Sequence, residues 1–223
     1  MNVLLFGATG MVGDGVLHEC AADPRVDSIL AVGRSPLDWT HPKLRELRRT
    51  DFFDFTDLAP ELARIDACFF CLGVSAAGKS EAEYRRQTFD LTLAAARALA
   101  GAHPGATFCY VSGEGTDSSA RGRVMWARVK GETENALLAL PLEVYMFRPG
   151  FIRARPGGQS KTALYRALYA VIGPLYPLLR KIAPRHVTTV ENVGRAMIAV
   201  ADRGYSKRVL ENPDINALGE SEE

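Results

Sequence analysis

The sequence predicts an α/β fold in which a doubly wound, mostly parallel sheet of six to seven strands is covered by helices on both faces. Two observations support this prediction: short apolar runs alternate with helical segments, and the strongest runs are apolar at nearly every position. Strands buried on both faces show no polar alternation, and parallel strands need a crossover helix between them. With 223 residues, 47% of them hydrophobic, the chain fits a single domain, 1–223, with a sizeable core.

The first half of the chain contributes four predicted strands. The first run, at Val3–Phe6, leads directly into a glycine turn and a helix. Three of the runs are strongly apolar, whereas LRELRRTDF is weaker and partly alternating. In chain order the four runs span residues 3–6, 28–32, 44–52 and 65–73.

Two capping boxes and three further strands organise the second half of the chain. Ser80 with Glu83 opens a long helix that ends near residues 101–104, and Thr188 with Glu191 opens a helix near the C-terminus. The predicted strands are ATFCYVSG at 106–113, LEVYMFRPG at 142–150 and a short RVLEN at 208–212.

The charge balance argues against one class of partner. The chain has 27 basic and 26 acidic residues and a net charge of +1, so nothing global indicates nucleic acid. The opening MNVLLFGATG is typical of a buried strand and lacks the basic segment and cleavage site of a secretory signal. We therefore expect a cytoplasmic protein that does not bind nucleic acid.

Four cysteines are compatible with a reducing compartment, and two of them form a C-x-x-C motif at Cys68 and Cys71. Such a motif is typical of redox and zinc sites, but the chain has no second pair and no histidine nearby. Residues three apart on a strand point to opposite faces of the sheet. We therefore interpret both cysteines as core residues and predict no metal site.

A glycine-rich turn joins the first strand to the first helix. FGATGMVG places Gly7, Gly10 and Gly13 in a G-x-x-G-x-x-G spacing. In a Rossmann fold one glycine permits the tight turn, one lets backbone N–H groups approach a pyrophosphate, and one lets the helix pack closely on the strand. The helix N-terminus adds a partial positive charge. The position of the triplet between strand and helix therefore predicts dinucleotide binding.

The residues after the second strand indicate which dinucleotide. An acidic residue there would bind the ribose 2′-hydroxyl, whereas AVGRS supplies Arg34 followed by Ser35. A guanidinium group binds a 2′-phosphate through charge-assisted hydrogen bonds. We predict NADP(H), with NAD(H) as the less favoured cofactor; a surface arginine without a ligand is the alternative.

The motifs resemble, in their order, one superfamily. CLG at 71–73, YVSGEG at 110–115, Lys130 on the following helix and FRPG at 147–150 all follow the glycine turn. Together they are similar to the atypical and extended short-chain dehydrogenases/reductases, and within these to the small NAD-dependent epimerase/dehydratase-like proteins related to the Tat-interactive protein. The resemblance spans roughly residues 1–212.

The resemblance implies a role for each matched position. Ser112 would hold the substrate carbonyl, and the other matched residues would bind the cofactor. The implied cofactor contacts are Gly7, Thr9, Gly10, Met11, Val12 and Gly13 at the pyrophosphate, Arg34 and Ser35 at the 2′-phosphate, Asp51 and Phe52 at the adenine, Leu72 and Gly73 at the ribose, Lys130 at the nicotinamide ribose, and Pro149, Gly150, Phe151 and Ile152 at the carboxamide.

Trp126 is the departure from the family pattern. The family's proton donor is a tyrosine four residues before the lysine, and here that position holds Trp126, four residues before Lys130. An indole does not titrate in the useful range and cannot take over the proton step. Trp126 would either stack beside the nicotinamide or serve as apolar packing. Tyr84 and Glu114 are candidate replacement acids, and a solvated loop carboxylate is the alternative reading of Glu114.

A stretch without acidic residues lies between Glu143 and Glu191. Related proteins build a substrate lobe here, so we expect a small C-terminal helical lobe at 151–187, inserted in the single domain. Three interpretations of its basic part, 153–185, remain open: the cations lie in solvent, they line a pocket for an anionic or apolar substrate, or they contact a membrane surface peripherally. The membrane contact is the least favoured of the three. A homodimer formed through apolar helices is a further hypothesis. Residues 213–223 are expected to form a flexible tail.

Three functions remain open from the sequence. The favoured one is an NADP(H)-dependent oxidoreductase that acts on a small or apolar carbonyl or hydroxyl substrate of unknown identity. The second is a non-catalytic dinucleotide-binding sensor or adaptor, and the third is an epimerase or isomerase that transiently oxidises its substrate.

Overall fold

The computed structural model describes residues 1–155 and 182–221. The strands of the described ranges are β1 (Asn2–Phe6), β2 (Ser28–Gly33), β3 (Leu44–Arg48), β4 (Ala67–Phe70), β5 (Thr107–Val111), β6 (Glu143–Arg148), β7 (Phe151–Arg153), β8 (Val187–Thr189) and β9 (Val209–Glu211). The main sheet has seven strands in the order β3-β2-β1-β4-β5-β6-β9, and all of them are parallel. The predicted doubly wound α/β fold is therefore confirmed.

Helices cover both faces of this sheet and create two separate apolar cores. The helices of the described residues are α1 (Met11–Ala22), α2 (Ala59–Leu62), α3 (Glu81–Arg85), α4 (Leu91–Ala102), α5 (Met125–Leu138), α6 (Val190–Arg203) and α7 (Asn212–Glu220). On one face α1 packs against α6, and α6 packs against α7; on the other face α4 packs against α2 and α5.

The two cysteines of the C-x-x-C motif face these two different cores, as predicted. Cys68 is buried in the core beneath α4, and Cys71 packs against the core beneath α1. Burial raises the pKa of the Cys71 thiol to about 12, so it carries no reactive thiolate near neutral pH. Both residues therefore contribute to packing.

The long helix predicted after residue 80 is present, and it contains one turn of a different type. The capping box is present, with the Ser80 amide donating to Glu83 Oε2 at 2.9 Å. A π-helical turn at Arg86–Asp90 joins α3 directly to α4, so the helix runs without interruption from residue 81 to residue 102. The periodicity of apolar residues did not reveal the wider turn.

Two predictions near the C-terminus are wrong. The N-cap of α6 is Thr189, whose hydroxyl accepts from the Asn192 amide at 3.1 Å, whereas the Thr188 hydroxyl donates to Asn216. The flexible tail expected at 213–223 is absent over most of that range, since Asn212–Glu220 forms α7 and Ile215 is fully buried. Its apolar positions pack on α6, which outweighs the acidic composition at the end.

Candidate functional site

A cavity of about 490 Å³ opens at the carboxyl ends of the parallel strands. It lies where the strand order reverses, between the loops after β1 and β4, which is the usual ligand site of such sheets. Most of the predicted site residues line it. They are Gly7, Thr9, Gly10, Met11, Val12, Arg34, Ser35, Phe52, Leu72, Gly73, Ser112, Lys130, Pro149, Gly150 and Ile152.

The glycine turn leaves no space for side chains. Gly7 has a φ of +86°, and a Cβ added there would lie 2.7 Å from the Cys71 carbonyl oxygen. A Cβ on Gly13 would collide with the Gly7 carbonyl oxygen, so this residue packs behind the cavity wall and allows α1 to approach β1. No side chain caps α1 at Gly10. Its first-turn N–H groups therefore form a cradle for an anion.

Two arginines line one end of the cavity, where β2 and β3 end. Arg34 follows β2, and Arg48 is the last residue of β3, paired in register with Gly33. Sequence reasoning missed Arg48 because the register between parallel strands is not visible in the sequence. Glu46 also lines this end, and its carboxylate accepts from the Leu37 amide at 3.1 Å.

Asp51 is not part of the cavity wall, although Phe52 beside it is. The Asp51 side chain is exposed and accepts from the Phe53 amide at 2.8 Å, which holds it in its own turn. Phe151 also lies off the wall: it begins β7 and pairs with Val187 of β8. These two positions of the predicted cofactor site are therefore not brought to the cavity.

Lys130 reaches the opposite end of the cavity from α5. Its ammonium group donates to the backbone carbonyl of Ser112. Burial lowers the pKa of Lys130 to about 8, and the negative charge of Glu134 one turn further along the helix opposes this shift. Lys130 thus places an ammonium group with a lowered pKa beside the loop that follows β5.

The hydroxyl of Ser112 is hydrogen-bonded within the protein, whereas the resemblance implied that it would hold the substrate carbonyl. Ser112 is 2% exposed, and its Oγ donates to Glu134 Oε1 at 2.6 Å, with the Phe147 carbonyl oxygen 3.2 Å away. Glu134 is equally buried and also binds Arg148 Nε at 3.0 Å. This internal network engages the hydrogen of the Ser112 hydroxyl.

Trp126 packs beneath a loop and does not line the cavity. Its ring comes within 3.5 Å of the position that a Cβ on Gly115 would occupy, and Gly115 has a φ of +82°. The geometry favours apolar packing over stacking beside a cofactor. Tyr84 is 2% exposed on α3 and also lies off the cavity wall, so it does not offer a proton there.

Glu114 has a partner that the sequence did not reveal. It lies off the cavity wall, and its carboxylate is hydrogen-bonded to Nδ1 of His186, in the 3-10 turn Pro184–His186 that precedes β8. Only a tertiary structure brings together two residues that are 72 positions apart. A Cβ on Gly150 would collide with Glu114 Oε2 and lie 2.5 Å from the His186 carbonyl oxygen. The pair therefore packs against a glycine of the cavity wall.

The predicted lobe at 151–187 lies largely outside the described residues, as does most of its basic part at 153–185. Within the ranges 1–155 and 182–221, no group of three or more His, Cys, Asp or Glu side chains could hold a metal ion. In the same ranges, none of the helices has the length and apolar character needed to cross a bilayer.

Comparison with known sequences finds relatives of low identity, and no family model matches the chain. It is 29% identical over 188 residues to the protein fmp52, mitochondrial, of Emericella nidulans, covering 80% of this chain and 79% of that protein. It is 25% identical to FMP52, mitochondrial, of Eremothecium gossypii, covering 100% and 99%. These relatives are named as mitochondrial proteins, which contradicts the expectation of a cytoplasmic protein.

Solved structures with the same fold include a short-chain dehydrogenase/reductase and a nucleotide-sugar epimerase. MoeE5 in complex with UDP-glucose and NAD superposes with a TM-score of 0.66 at 19% identity, over 99% of this chain and 81% of that one. A UDP-glucuronic acid 4-epimerase from Bacillus cereus in complex with NAD gives 0.65 at 13%, over 94% and 76%. A short-chain dehydrogenase/reductase from Mycobacterium ulcerans gives 0.64 at 17%, over 96% and 89%. The chain therefore has the fold of the superfamily that its motifs resemble.

Proposed function

We propose that this protein is an NADP(H)-dependent oxidoreductase of the short-chain dehydrogenase/reductase type, acting on a small or apolar carbonyl compound. One observation carries the proposal: the glycine cradle, the two arginines and Lys130 all line a single cavity at the carboxyl ends of the strands. Open α/β sheets bind dinucleotides at this position. The fold neighbours that hold NAD support a nicotinamide dinucleotide as the ligand.

The residues of the cavity fit such a cofactor. The uncapped N-terminus of α1 and the bare backbone of Gly7 and Gly10 suit a pyrophosphate. Phe52 offers an apolar surface to an adenine, and Lys130 offers donors to the ribose hydroxyls of the nicotinamide half. When bound, the reduced cofactor supplies a hydride to a carbonyl carbon. The chain's own task is to hold the carbonyl and to provide a proton.

Preference for NADP(H) over NAD(H) follows from the charges at the adenosine end. Arg34 and Arg48 extend from adjacent parallel strands into the same end of the cavity, with Ser35 beside them. Two guanidinium groups at one site suit a dianionic 2′-phosphate. The carboxylate of Glu46, which lines the same end, accepts a hydrogen bond from the Leu37 amide.

Turnover tests the oxidoreductase directly. Purified protein is incubated with NADPH and a panel of aldehydes and ketones, such as hexanal, 4-nitrobenzaldehyde and cyclohexanone, and the oxidation of NADPH is followed by absorbance. We expect substrate-dependent oxidation that is lost in Lys130→Ala. NADPH oxidation that stays at the rate of a protein-free control with every compound would contradict the proposal.

A second candidate function is a sensor or adaptor that binds the dinucleotide without catalysis. Two observations favour it: Trp126 packs away from the cavity, and the hydroxyl of Ser112 is bonded to Glu134. Neither side chain then serves the proton step. This candidate predicts that NADPH changes the oligomeric state in size-exclusion chromatography while no carbonyl compound is reduced. Turnover by the native protein would rule it out.

A further inference from the structure

Lys130 presents its amine to the cavity beside a residue that has no side chain. Its Nζ lies 3.9 Å from the position that a Cβ on Gly113 would occupy, and both residues line the cavity. Gly113 has a φ of +124°, a conformation that favours glycine, so the space in front of the amine stays open. A small molecule that enters the cavity can therefore reach Nζ.

No acidic side chain holds this amine as a cation. Nζ donates to the backbone carbonyl of Ser112, and no carboxylate forms an ion pair with it in the part of the chain that the structure describes. Glu134 lies one turn further along α5, but its two carboxylate oxygens accept from the Ser112 hydroxyl and from Arg148. The hydrogen bond to a carbonyl oxygen requires only one N–H, so a neutral amine satisfies it as well as an ammonium group does.

Burial makes the neutral form of this amine accessible near physiological pH. It lowers the pKa of Lys130 to about 8, while the negative charge of Glu134 opposes the shift. At pH 8 about half of the amine is then neutral, compared with roughly 0.3% for a lysine with the ordinary pKa of 10.5. A neutral lysine in a desolvated pocket is a nucleophile that forms imines with carbonyl compounds.

The other lysines of the described ranges lack this combination of features. Lys43, Lys79 and Lys207 all lie off the cavity wall. Lys43 Nζ donates to the Asp23 carbonyl oxygen at 2.7 Å, and Lys207 Nζ donates to the Asp214 carboxylate at 2.6 Å, which raises the pKa of Lys207. Their reactivity therefore provides an internal reference for that of Lys130.

We propose that Lys130 is a carbonyl-reactive amine and that the cavity captures small aldehydes there as imines. The lone pair of the neutral Nζ attacks the carbonyl carbon and a C–N bond forms. Both amine hydrogens then leave with the former carbonyl oxygen as one water molecule. The step neither gains nor loses electrons, so it goes beyond the proposed reduction and does not depend on NADPH. The protonated imine keeps one N–H for the Ser112 carbonyl oxygen, the present partner of the amine.

Reductive trapping tests this reactivity in the wild-type protein. Hexanal and sodium cyanoborohydride are added at pH 8 without nucleotide, so that each imine is reduced to a stable secondary amine. Peptide mapping by mass spectrometry then measures how fast each lysine gains a hexyl group. We expect Lys130 to react about tenfold faster or more than Lys79 and Lys207, because a larger fraction of it is neutral. A rate at Lys130 no higher than that at Lys207 would overturn the proposal.

Matched variants assign the fast reaction to a single amine. Lys130→Arg keeps the positive charge and removes the nucleophile, so the fast phase of hexyl incorporation into the intact protein should disappear. Lys207→Arg should retain that phase, and circular dichroism checks that both variants are folded. If Lys130→Arg still incorporated hexyl groups at the fast rate of the wild type, the reactive amine would lie elsewhere and the proposal would fail.

Protection by NADP⁺ separates this inference from the proposed function. A cofactor whose ribose binds Lys130 would cover Nζ, so saturating NADP⁺ should slow hexyl incorporation at Lys130 and leave that at Lys207 unchanged. Fast labelling of Lys130 without protection would support the inference and count against the proposed cofactor site. Binding of NADP⁺ in calorimetry together with slow labelling of Lys130 in the nucleotide-free protein would refute the inference alone.

Discussion

Glu134 accepts a hydrogen bond from the Ser112 hydroxyl at 2.6 Å and binds Arg148 from the same carboxylate, with both Ser112 and Glu134 only 2% exposed. The carboxylate thereby joins α5 to the ends of β5 and β6. It also lies one helical turn from Lys130 and opposes the effect of burial on that ammonium group. One buried acid thus positions the strand ends and the cation that form one end of the cavity.

Removing this charge should destabilise the protein. In Glu134→Gln the guanidinium of Arg148, whose side chain is 11% exposed, keeps only its more exposed ionic partner Glu211. We expect the free energy of unfolding to fall by about 3 kcal/mol. Urea denaturation measures the change. The control Glu143→Gln removes an exposed pair with Arg208 and should cost less than about 1 kcal/mol. Equal stability of the two variants would refute the structural role of Glu134.

A side chain at Gly13 should abolish cofactor binding. In Gly13→Ala the new methyl group would collide with the Gly7 carbonyl oxygen and push α1 away from the turn. We expect no detectable NADPH binding by calorimetry in a variant that is still folded by circular dichroism. The control Gly101→Ala has open space around the added Cβ on α4 and should bind like the wild type. Normal binding by Gly13→Ala would show that the cradle is not the pyrophosphate site.

Arg48 should contribute to the choice between the two cofactors. We expect Arg48→Gln to weaken NADPH binding about tenfold, the loss of roughly one charge-assisted hydrogen bond, and to leave NADH binding unchanged. Arg45→Gln is the control, because Arg45 lies on the same strand but interacts with Glu61 away from the cavity. If Arg48→Gln weakened the binding of NADPH and NADH equally, Arg48 would not recognise a 2′-phosphate.

The depressed pKa of Lys130 predicts how stability depends on pH. Below pH 8 the ammonium group is charged in the folded and unfolded states, and its burial penalty is fully present. Between pH 8 and the unfolded value of 10.5, the folded state releases its proton while the unfolded state keeps it. The wild type should therefore gain stability relative to Lys130→Met across this window, by at most about 3 kcal/mol. Denaturation at pH 7 and pH 10 measures the difference in free energy of unfolding between the wild type and Lys130→Met. If this difference is the same at both pH values, the depressed pKa of Lys130 is contradicted.

Much of the fold was predictable because its signals are local. The apolar runs and the strand period placed Cys68 and Cys71 on opposite faces, and the triplet from Gly7 to Gly13 located the cavity. Each of these features depends on residues that are close together in the sequence. The C-terminal helix was missed for another reason, since Pro213 and Asp214 at its start are helix-initiating residues that the acidic tail composition outweighed in our interpretation.

The parts of the site that the sequence did not reveal depend on long-range contacts. Arg48 reaches the cavity through the register of β2 with β3, and His186 meets Glu114 across 72 positions. Ser112 is turned inward by Glu134, a residue 22 positions later whose burial is not visible in the sequence. A motif therefore indicates which residues share a loop, but the packing around it decides where each side chain points.

Isothermal titration of the purified protein with NADPH, and separately with NADH, tests the central claim most directly. We predict saturable binding of one NADPH per chain with an affinity at least tenfold higher than that for NADH. Because neither the cradle nor the arginines would then have a role in ligand binding, the absence of binding by both cofactors would contradict the account.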